Sequence, residues 1–284
     1  MQEGIHLPHF THSVANALKS KSVFIITRIL QQRVKIRQKG SRVFQFQIFA
    51  GFKDIRHTVT DCGDGDMRDQ ANRDSVSKRL EIDRLVVAKQ VHGSDVVLID
   101  TAPREPKVCD AMIADKADLP LTILTADCVP ILLFDPKTRS IGVAHAGWRG
   151  SAAMIAVKTV RAMTKRFGAK PDDLIAGIGP SICDGCYHVG DEVITTWGKL
   201  DKEFRPALKS RRGAESKTRL QRRQKTSKEY FLHLQLANRL MLRSVGVNEK
   251  NIETISFCTY ETTSLFSYRR DSGCGRFASV IALV

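Results

Sequence analysis

Short apolar runs of strand length, separated by turn residues, recur along most of this chain. The turn at His92-Gly93-Ser94 joins the first two of these runs, and Asp135-Pro136-Lys137 joins the fourth to the fifth. The runs predict strands at 85–88, 96–99, 121–124, 129–134, 141–144, 174–178, 252–257 and 277–283.

Helical patterns are fewer. They predict helices at 72–80, 151–168, 191–197 and 232–243, the second beginning at an N-cap on Ser151. Strands thus outnumber helices and do not alternate regularly with them. We therefore expect an α+β fold with layered α/β packing: a single compact domain of mixed sheets with flanking helices.

The positive charge of the chain is confined to two segments. Residues 1–45 carry eight Lys and Arg against one Glu, and residues 199–229 carry twelve against four acidic residues, which accounts for the net charge of +15. Such segments are usually solvated tails or loops. We expect a basic N-terminal extension at 1–45, disordered or helical over 14–39, and a catalytic domain at 46–284 with a basic insertion at 199–229. Since the remainder is neutral, nucleic acid is not an expected partner.

Seven cysteines, an odd number, argue against a complete disulfide framework. The start of the chain lacks the apolar core and small-residue cleavage site of a secretory signal. No apolar run approaches the ~20 residues that a membrane-spanning helix needs. We expect a cytoplasmic protein without a membrane partner, whose reduced thiols serve metal binding or catalysis.

Three segments place a metal-ligating side chain where a strand ends. His92 and His145 each precede a glycine-containing turn, and Cys128 lies at a break between two strands. Two imidazoles and a thiolate suit Zn²⁺, and three ligands with an open fourth position are typical of a catalytic site. Two alternatives remain open on composition alone: ordinary turn and core residues, or a Cys–His nucleophile pair.

The strings KQVHGSDV, TADCVPILL, HAGWRG, IGPSI and FSYRRDSGCGR occur in this order. With them the chain resembles the family first described as multicopper polyphenol oxidase or laccase, also called peptidoglycan editing factors and now regarded as zinc-dependent purine nucleoside phosphorylases. The resemblance implies a cysteine-hydrolase-like fold and Zn²⁺ held by His92, Cys128 and His145. It also implies phosphorolysis of adenosine, inosine and methylthioadenosine, with phosphate as co-substrate, and adenosine deamination.

The oxidase name conflicts with the histidine content. A multicopper oxidase draws on many His ligands, mostly in His-x-His pairs, whereas this chain has eight His and no such pair. A blue-copper site often adds an axial Met, and the first Met after Cys128 is Met154, beyond His145. We therefore expect copper only as an incidental occupant of the His₂Cys set.

Several charged residues are candidates beside the metal ligands. Arg149, Arg269 and Arg270 are candidate phosphate-binding residues, because guanidinium groups bind phosphate in bidentate fashion. The alternative is that they form structural ion pairs with Asp127 or Asp271. Asp127, next to Cys128, is a candidate catalytic residue, as a proton acceptor or as a residue that orients the ligands.

Two further features stand outside this set. The pair Cys183 and Cys186 is a single C-x-x-C, which we interpret as incidental. The family's Ser-Thr-Arg-x-Gly-Gly string is missing near the start, and Arg56 is the nearest candidate for its arginine.

Two other hypotheses remain. One is a hydrolase of cell-wall peptides with Cys128 as nucleophile, which would survive metal chelation and be lost on thiol alkylation. The other is a nucleic-acid-binding protein that depends on the two basic segments.

Overall fold

The computed structural model describes residues 35–36, 42–212 and 228–284, with side chains described for 44–210 and 229–284. Most of the predicted extension at 1–45 and the middle of the basic insertion lie outside the described residues, as does most of the predicted helix at 14–39. Within the range of that predicted helix the structure describes Lys35–Ile36, which form a strand paired with Arg42–Val43. Phe44 is buried and pairs with Val59, so core packing includes the last residues of the predicted extension.

Strands and α-helices are numbered separately in chain order. The described strands are β1 (Lys35–Ile36), β2 (Arg42–Val43), β3 (Ile55–Val59), β4 (Val86–Val87), β5 (Val96–Leu98), β6 (Ala111–Ala114), β7 (Leu121–Thr125), β8 (Val129–Asp135), β9 (Ser140–Ala146), β10 (Ile175–Ile178), β11 (His188–Val189), β12 (Leu208–Arg212), β13 (Lys228–Leu232), β14 (Ile252–Thr254) and β15 (Phe277–Leu283). The described α-helices are α1 (Gln70–Leu80), α2 (Trp148–Ala152), α3 (Ile155–Phe167), α4 (Asp191–Gly198) and α5 (Leu234–Ser244).

A six-stranded mixed sheet forms the centre, in the order β14-β10-β8-β9-β6-β5. The inner pairs are antiparallel, while β14 and β5 each run parallel to their neighbour. Every residue of β8 and β9 is buried, which explains their nearly continuous apolar sequences. The turn between them is closed by Asp135, whose carboxylate accepts from the Lys137 amide and the Thr138 hydroxyl, and this confirms the predicted turn.

A four-stranded sheet, in the order β3-β15-β7-β4, packs against one face of the central sheet. Helices α3 and α5 cover the other face, and they also pack on each other. Helix α1 contributes Val76 to an apolar cluster with Ala278 and Val280 of β15. These layers of mixed sheet and flanking helix confirm the predicted α+β class.

Strand pairing differs from the local prediction at two places. The runs that contain β4 and β5 do not form a hairpin, because β4 pairs with β7 in the four-stranded sheet and β5 pairs with β6 in the central sheet. Strands β3 and β6 were not predicted, since Arg56 and His57 interrupt one and the other is an Ala-Met-Ile-Ala run of weak β propensity. Both become strands because neighbouring strands supply their hydrogen-bond partners.

The helix predicted at 151–168 is two helices. Met154, at φ +63°, adopts a left-handed conformation between α2 and α3. Ser151 is therefore not an N-cap but a buried residue within α2, where its hydroxyl accepts from the Asn238 amide. The helix end at Gly168, with φ +74°, is as predicted.

Both ends of the basic insertion are ordered structure rather than loop. β12 and β13 pair antiparallel from Leu208 opposite Leu232 to Arg212 opposite Lys228, and β11 adds a third strand. Phe204 and Ala207 are buried in the main core, so this segment contributes to folding stability. Across the described residues no helix is long and apolar enough to cross a membrane.

Candidate metal centre

His92, Cys128 and His145 converge in the fold although 36 and 17 residues separate them in the chain. One potential ligand atom from each lies within 4.8 Å of the other two. The two imidazole rings meet edge to face with centroids 4.8 Å apart. Bonds of roughly 2.0 Å to nitrogen and 2.3 Å to sulfur place the two nitrogens and one sulfur of a tetrahedral shell about 3.3–3.5 Å apart. The three residues therefore fit a metal ion with only small adjustments.

Cys128 is placed by the connection between the two sheets, and His145 is placed by strand pairing within the central sheet. Cys128 lies between β7 of the four-stranded sheet and β8 of the central sheet, and the β8–β9 register sets Pro130 opposite His145. His92 and Asp127, both non-glycine residues, have φ values of +59° and +87°. Such left-handed conformations are costly and cluster at functional sites, where surrounding contacts maintain them.

Asp110 orients two of the three segments. It is fully buried, and one carboxylate oxygen lies 2.7 Å from Nδ1 of His145. The same carboxylate accepts backbone N–H bonds from Val91, His92 and Gly93. A carboxylate on the second nitrogen of a metal-ligating His fixes its ring orientation. Asp110 was not predicted from the sequence, where its signal was an acidic residue at the start of a buried apolar run.

Electrostatics favours the charged forms of the pair formed by Cys128 and His145. Burial alone would raise the pKa of the Cys128 thiol, but the His145 charge and hydrogen bonds from His145 and His92 lower it to about 6. Burial would lower the pKa of His145, yet the Cys128 thiolate and Asp110 raise it to about 9. The cluster thus favours a thiolate, the form of cysteine that binds metals.

Gly147 packs directly against two of the ligands. A Cβ at this position would lie 2.9 Å from Cys128 Sγ and 3.3 Å from Cδ2 of His92. Its φ of −69° and ψ of 175° are open to any residue. A side chain is therefore excluded at Gly147 because Cys128 and His92 lie too close, and not because of the backbone conformation.

Asp127 is committed to loop contacts. One carboxylate oxygen accepts from the Thr259 hydroxyl and the other from the Arg269 amide, both at 2.6 Å. Its backbone carbonyl accepts from the Ile182 amide. These bonds join three loops beside Cys128.

The three candidate arginines differ in their contacts. Arg149 stacks 4.2 Å from the Trp148 ring and pairs with the exposed Glu192 at 3.0 Å. Arg269 donates to the carbonyls of Cys186 and His188, with its guanidinium 5.1 Å from the Tyr187 ring. None of the three forms an ion pair with Asp127 or Asp271 among the described contacts.

Among the described contacts, the guanidinium of Arg270 donates to backbone carbonyls. Its acceptors are the carbonyls of Thr259, Tyr260, Thr262 and Leu265. A guanidinium has five N–H donors, so this set occupies most of them. The contacts describe a residue that holds its own loop together.

Tyr187, which is not among the predicted site residues, lies against Arg269 and within the electrostatic field of Cys128. Burial raises the pKa of its phenol, as do the charges of Cys128 and Asp127, while Arg269 and Arg149 oppose the rise. Of these charged groups, the Arg269 guanidinium lies 5.1 Å from the Tyr187 ring. The only sequence signal was an aromatic residue directly after the C-x-x-C.

Arg56 does not lie near the metal ligands. It sits opposite Ala282 in the β3–β15 pair, whereas the end of β15 next to the cluster is Phe277, opposite Thr125. Five residues of strand span roughly 16 Å. The side chain of Arg56 instead donates to the carbonyls of Lys53 and Ile55, so it does not replace the family's arginine at the site.

Comparison with known proteins gives consistent matches. Residues 55–284 match the family described as multi-copper polyphenol oxidoreductase laccase. A purine nucleoside phosphorylase of Streptomyces coelicolor is 33% identical over 75% of this chain and 81% of its own length. The Geobacillus stearothermophilus purine nucleoside phosphorylase YlmD is 35% identical over 70% and 72%. An adenosine deaminase, RL5, from an unknown prokaryotic organism is 33% identical over 67% and 71%.

Solved structures have the same fold. The crystal structure of the Bacillus licheniformis hypothetical protein YfiH superposes with a TM-score of 0.73 at 27% identity, covering 88% of this chain and 98% of that one. The crystal structure of YlmD from Geobacillus stearothermophilus gives 0.69 at 29% identity, covering 88% and 99%.

Proposed function

The chain belongs to the family described as multi-copper polyphenol oxidoreductase laccase, and on that premise we propose that it is a zinc-dependent purine nucleoside phosphorylase with an adenosine deaminase side activity. Its substrates would be phosphate and a purine nucleoside such as adenosine, inosine or methylthioadenosine. The enzyme names of relatives at 33–35% identity support this reaction class. We assign the reaction to residues 46–284.

The observation that carries the proposal is the convergence of His92, Cys128 and His145 around one point, with Asp110 behind them. Three ligands of this type with an open fourth position are typical of catalytic Zn²⁺. Copper remains an incidental occupant in this proposal, because eight histidines supply no multicopper ligand set. When bound, Zn²⁺ would supply Lewis-acid polarisation of an oxygen on substrate or water.

The chain's own residues prepare the site. Asp110 accepts from Nδ1 of His145, which leaves Nε2 for the metal. Its bonds to the amides of the His92 loop keep that ligand in its left-handed conformation. Asp127 holds the Thr259 and Arg269 loops next to Cys128. We therefore propose Asp127 as a positioning residue.

Phosphate would be bound by Arg149 and Arg269. The Arg149–Glu192 pair is half-exposed, and surface pairs of this kind are worth only about 0–1 kcal/mol, so phosphate could replace Glu192 at little cost. Arg269 donates to two carbonyls and has further N–H groups for an anion. Arg270, occupied by backbone carbonyls, would shape the loop instead.

The test is product analysis of zinc-loaded protein incubated with adenosine, with and without phosphate. Adenine and ribose 1-phosphate should form only with phosphate, and inosine should form without it. Cys128→Ser should abolish both reactions, whereas Cys62→Ser, a thiol outside the cluster, should retain them. Absence of all products from the wild type refutes the proposal.

A second experiment addresses phosphate binding. Arg149→Gln should raise the KM for phosphate by about tenfold or more, since a charged hydrogen bond is worth about 1.5–3 kcal/mol. Arg166→Gln, an exposed arginine on α3, is the matched control and should leave that KM unchanged. Equal effects of the two substitutions would mean that Arg149 acts only through net charge.

A second candidate is a hydrolase of cell-wall peptides with Cys128 as nucleophile. The observation that favours it is a Cys–His–Asp arrangement: a nitrogen of His145 lies within 4.8 Å of Cys128 Sγ, and Nδ1 lies 2.7 Å from Asp110. This activity should survive metal chelation and be lost on thiol alkylation. The phosphorylase reaction should be lost on chelation and recovered with Zn²⁺.

A further inference from the structure

A second group of metal-ligating side chains lies outside the cluster described above. It consists of Cys183, Cys186, Cys258 and Glu261, hereafter the second cluster. One potential ligand atom from each lies within 4.8 Å of the other three. In the sequence alone the C-x-x-C has no partner pair nearby, which is why it reads as incidental there. Its partners, Cys258 and Glu261, are 75 residues away in the chain.

Backbone hydrogen bonds hold the second cluster together. Cys183 begins a tight turn in which its carbonyl accepts from the amides of Cys186 and Tyr187. A parallel bridge between Ser181 and Cys258, with the Thr259 amide bonded to the Ser181 carbonyl, brings the second segment alongside. Main-chain hydrogen bonds therefore hold the two segments that carry these four side chains next to each other.

The side-chain contacts are those of a preformed ligand set. The amide of Cys183 donates to Cys258 Sγ at 3.4 Å, a bond that stabilises sulfur as a thiolate. Cys186 Sγ lies 3.3 Å from a carboxylate oxygen of Glu261. Tetrahedral ligands at Zn–S bonds of ~2.3 Å and Zn–O bonds of ~2.1 Å are roughly 3.6–3.8 Å apart. Since the ligand atoms lie within 4.8 Å of one another, changes of at most about 1.2 Å in their separations close the shell.

We propose that Cys183, Cys186, Cys258 and Glu261 bind a second, structural Zn²⁺ ion. Three thiolates and a carboxylate complete a tetrahedral shell, and four protein ligands leave no open position for a substrate. The C-x-x-C supplies two ligands, as in structural zinc sites, and the fold brings in the other two from a distant segment. The first cluster has three ligands, so an ion bound there would keep a fourth position open for substrate or water.

The loops that carry the second cluster also contact residues beside the first cluster. Ile182, next to Cys183, donates its amide to the Asp127 carbonyl, and Thr259, next to Cys258, donates its hydroxyl to the Asp127 carboxylate. Arg269 bonds the carbonyl of Cys186. An ion bound by both loops would therefore stabilise the position of Asp127, next to Cys128.

Metal stoichiometry tests the proposal. Purified protein loaded with Zn²⁺ and dialysed against buffer should retain two ions per chain, and Cys258→Ser and Cys128→Ser should each retain one. The double variant should retain none, and Cys62→Ser, the control thiol, should retain two. Zinc content that is the same in Cys258→Ser as in the wild type overturns the second site.

Cobalt provides a readout that does not depend on folding of the Cys258 variant. In Cys128→Ser the first cluster has lost its thiolate, so thiolate-to-cobalt charge-transfer absorption that is also lost in the Cys128→Ser/Cys258→Ser double variant reports the second cluster. One equivalent of Co²⁺ should produce these bands, and Zn²⁺ should displace them. Absence of the bands overturns the proposal, as does a Cys183–Cys186 disulfide in protein purified without reductant, measured by mass and thiol titration.

Discussion

Gly147→Ala separates the geometry of the metal centre from the identity of its ligands. All three ligand side chains remain, and the backbone angles of Gly147 are accessible to alanine. The conflict comes from the new Cβ, which would lie 2.9 Å from Cys128 Sγ and, less severely, 3.3 Å from Cδ2 of His92. The variant therefore tests whether the sulfur must occupy its present position.

The size of the effect follows from that distance. Ordinary contacts of a Cβ begin near 3.4 Å, so the sulfur or the glycine segment must move by about 0.5 Å. Metal–ligand distances tolerate only about ±0.2 Å. Disturbing the support of a ligand typically weakens metal binding 10- to 100-fold. We expect a similar loss, equivalent to about 1.4–2.7 kcal/mol.

The assay is competition for Zn²⁺ against a chromophoric chelator, with Cys258→Ser as the background so that only the first cluster reports. Gly198→Ala is the matched control, because a Cβ at Gly198 meets nothing within 4 Å. Unfolding of the metal-free variants is measured in parallel, since overpacking by itself costs about 1–3 kcal/mol. A Gly147→Ala affinity within twofold of the control would refute the steric reasoning.

Three further predictions concern residues around the core and the site. Asp110→Asn should weaken Zn²⁺ binding about 10- to 100-fold in the same competition assay, because an amide cannot accept all the bonds of the carboxylate; unchanged affinity would remove Asp110 from the site. Burial lowers the pKa of His57 to about 4, below its unfolded value of 6.5, so stability is lost as pH falls from 6.5 to 4, by about 3 kcal/mol. Urea unfolding across that range should show this loss reduced in His57→Gln, and an equal slope in both proteins would contradict it. Arg270→Gln should lower the melting temperature by several degrees, whereas Arg269→Gln should mainly raise the KM for phosphate; the reverse pattern would exchange their proposed roles.

The strands that local sequence predicts are those with continuous apolar runs. β8, β9 and β15 are buried along their whole length, so their own side chains predict both strand and core. β3 and β6 carry weaker signals and become strands through pairing with β15 and β9. The predicted strands at 85–88 and 96–99 both form, but distant strands determine that they join different sheets.

The three candidate metal ligands could be named from sequence because each lies in a distinctive motif at a strand end, and the structure brings them together. Their supporting residues were not. Asp110 precedes a strand that local propensity does not predict, and its role depends on contacts with His145 and with the loop of His92. Arg270 was a phosphate candidate by type, and only its carbonyl partners indicate a loop-holding role.

What the sequence determined by itself is the chemistry available at each point: strand-forming runs, turn residues, and the types of His92, Cys128 and His145. The tertiary structure decided which of these groups meet. It joined Cys183 and Cys186 to Cys258 and Glu261 across 75 residues, and it placed Asp110 behind His145. The physical reason is range: propensity and capping act over a few residues, whereas ligand geometry depends on register between strands far apart in the chain.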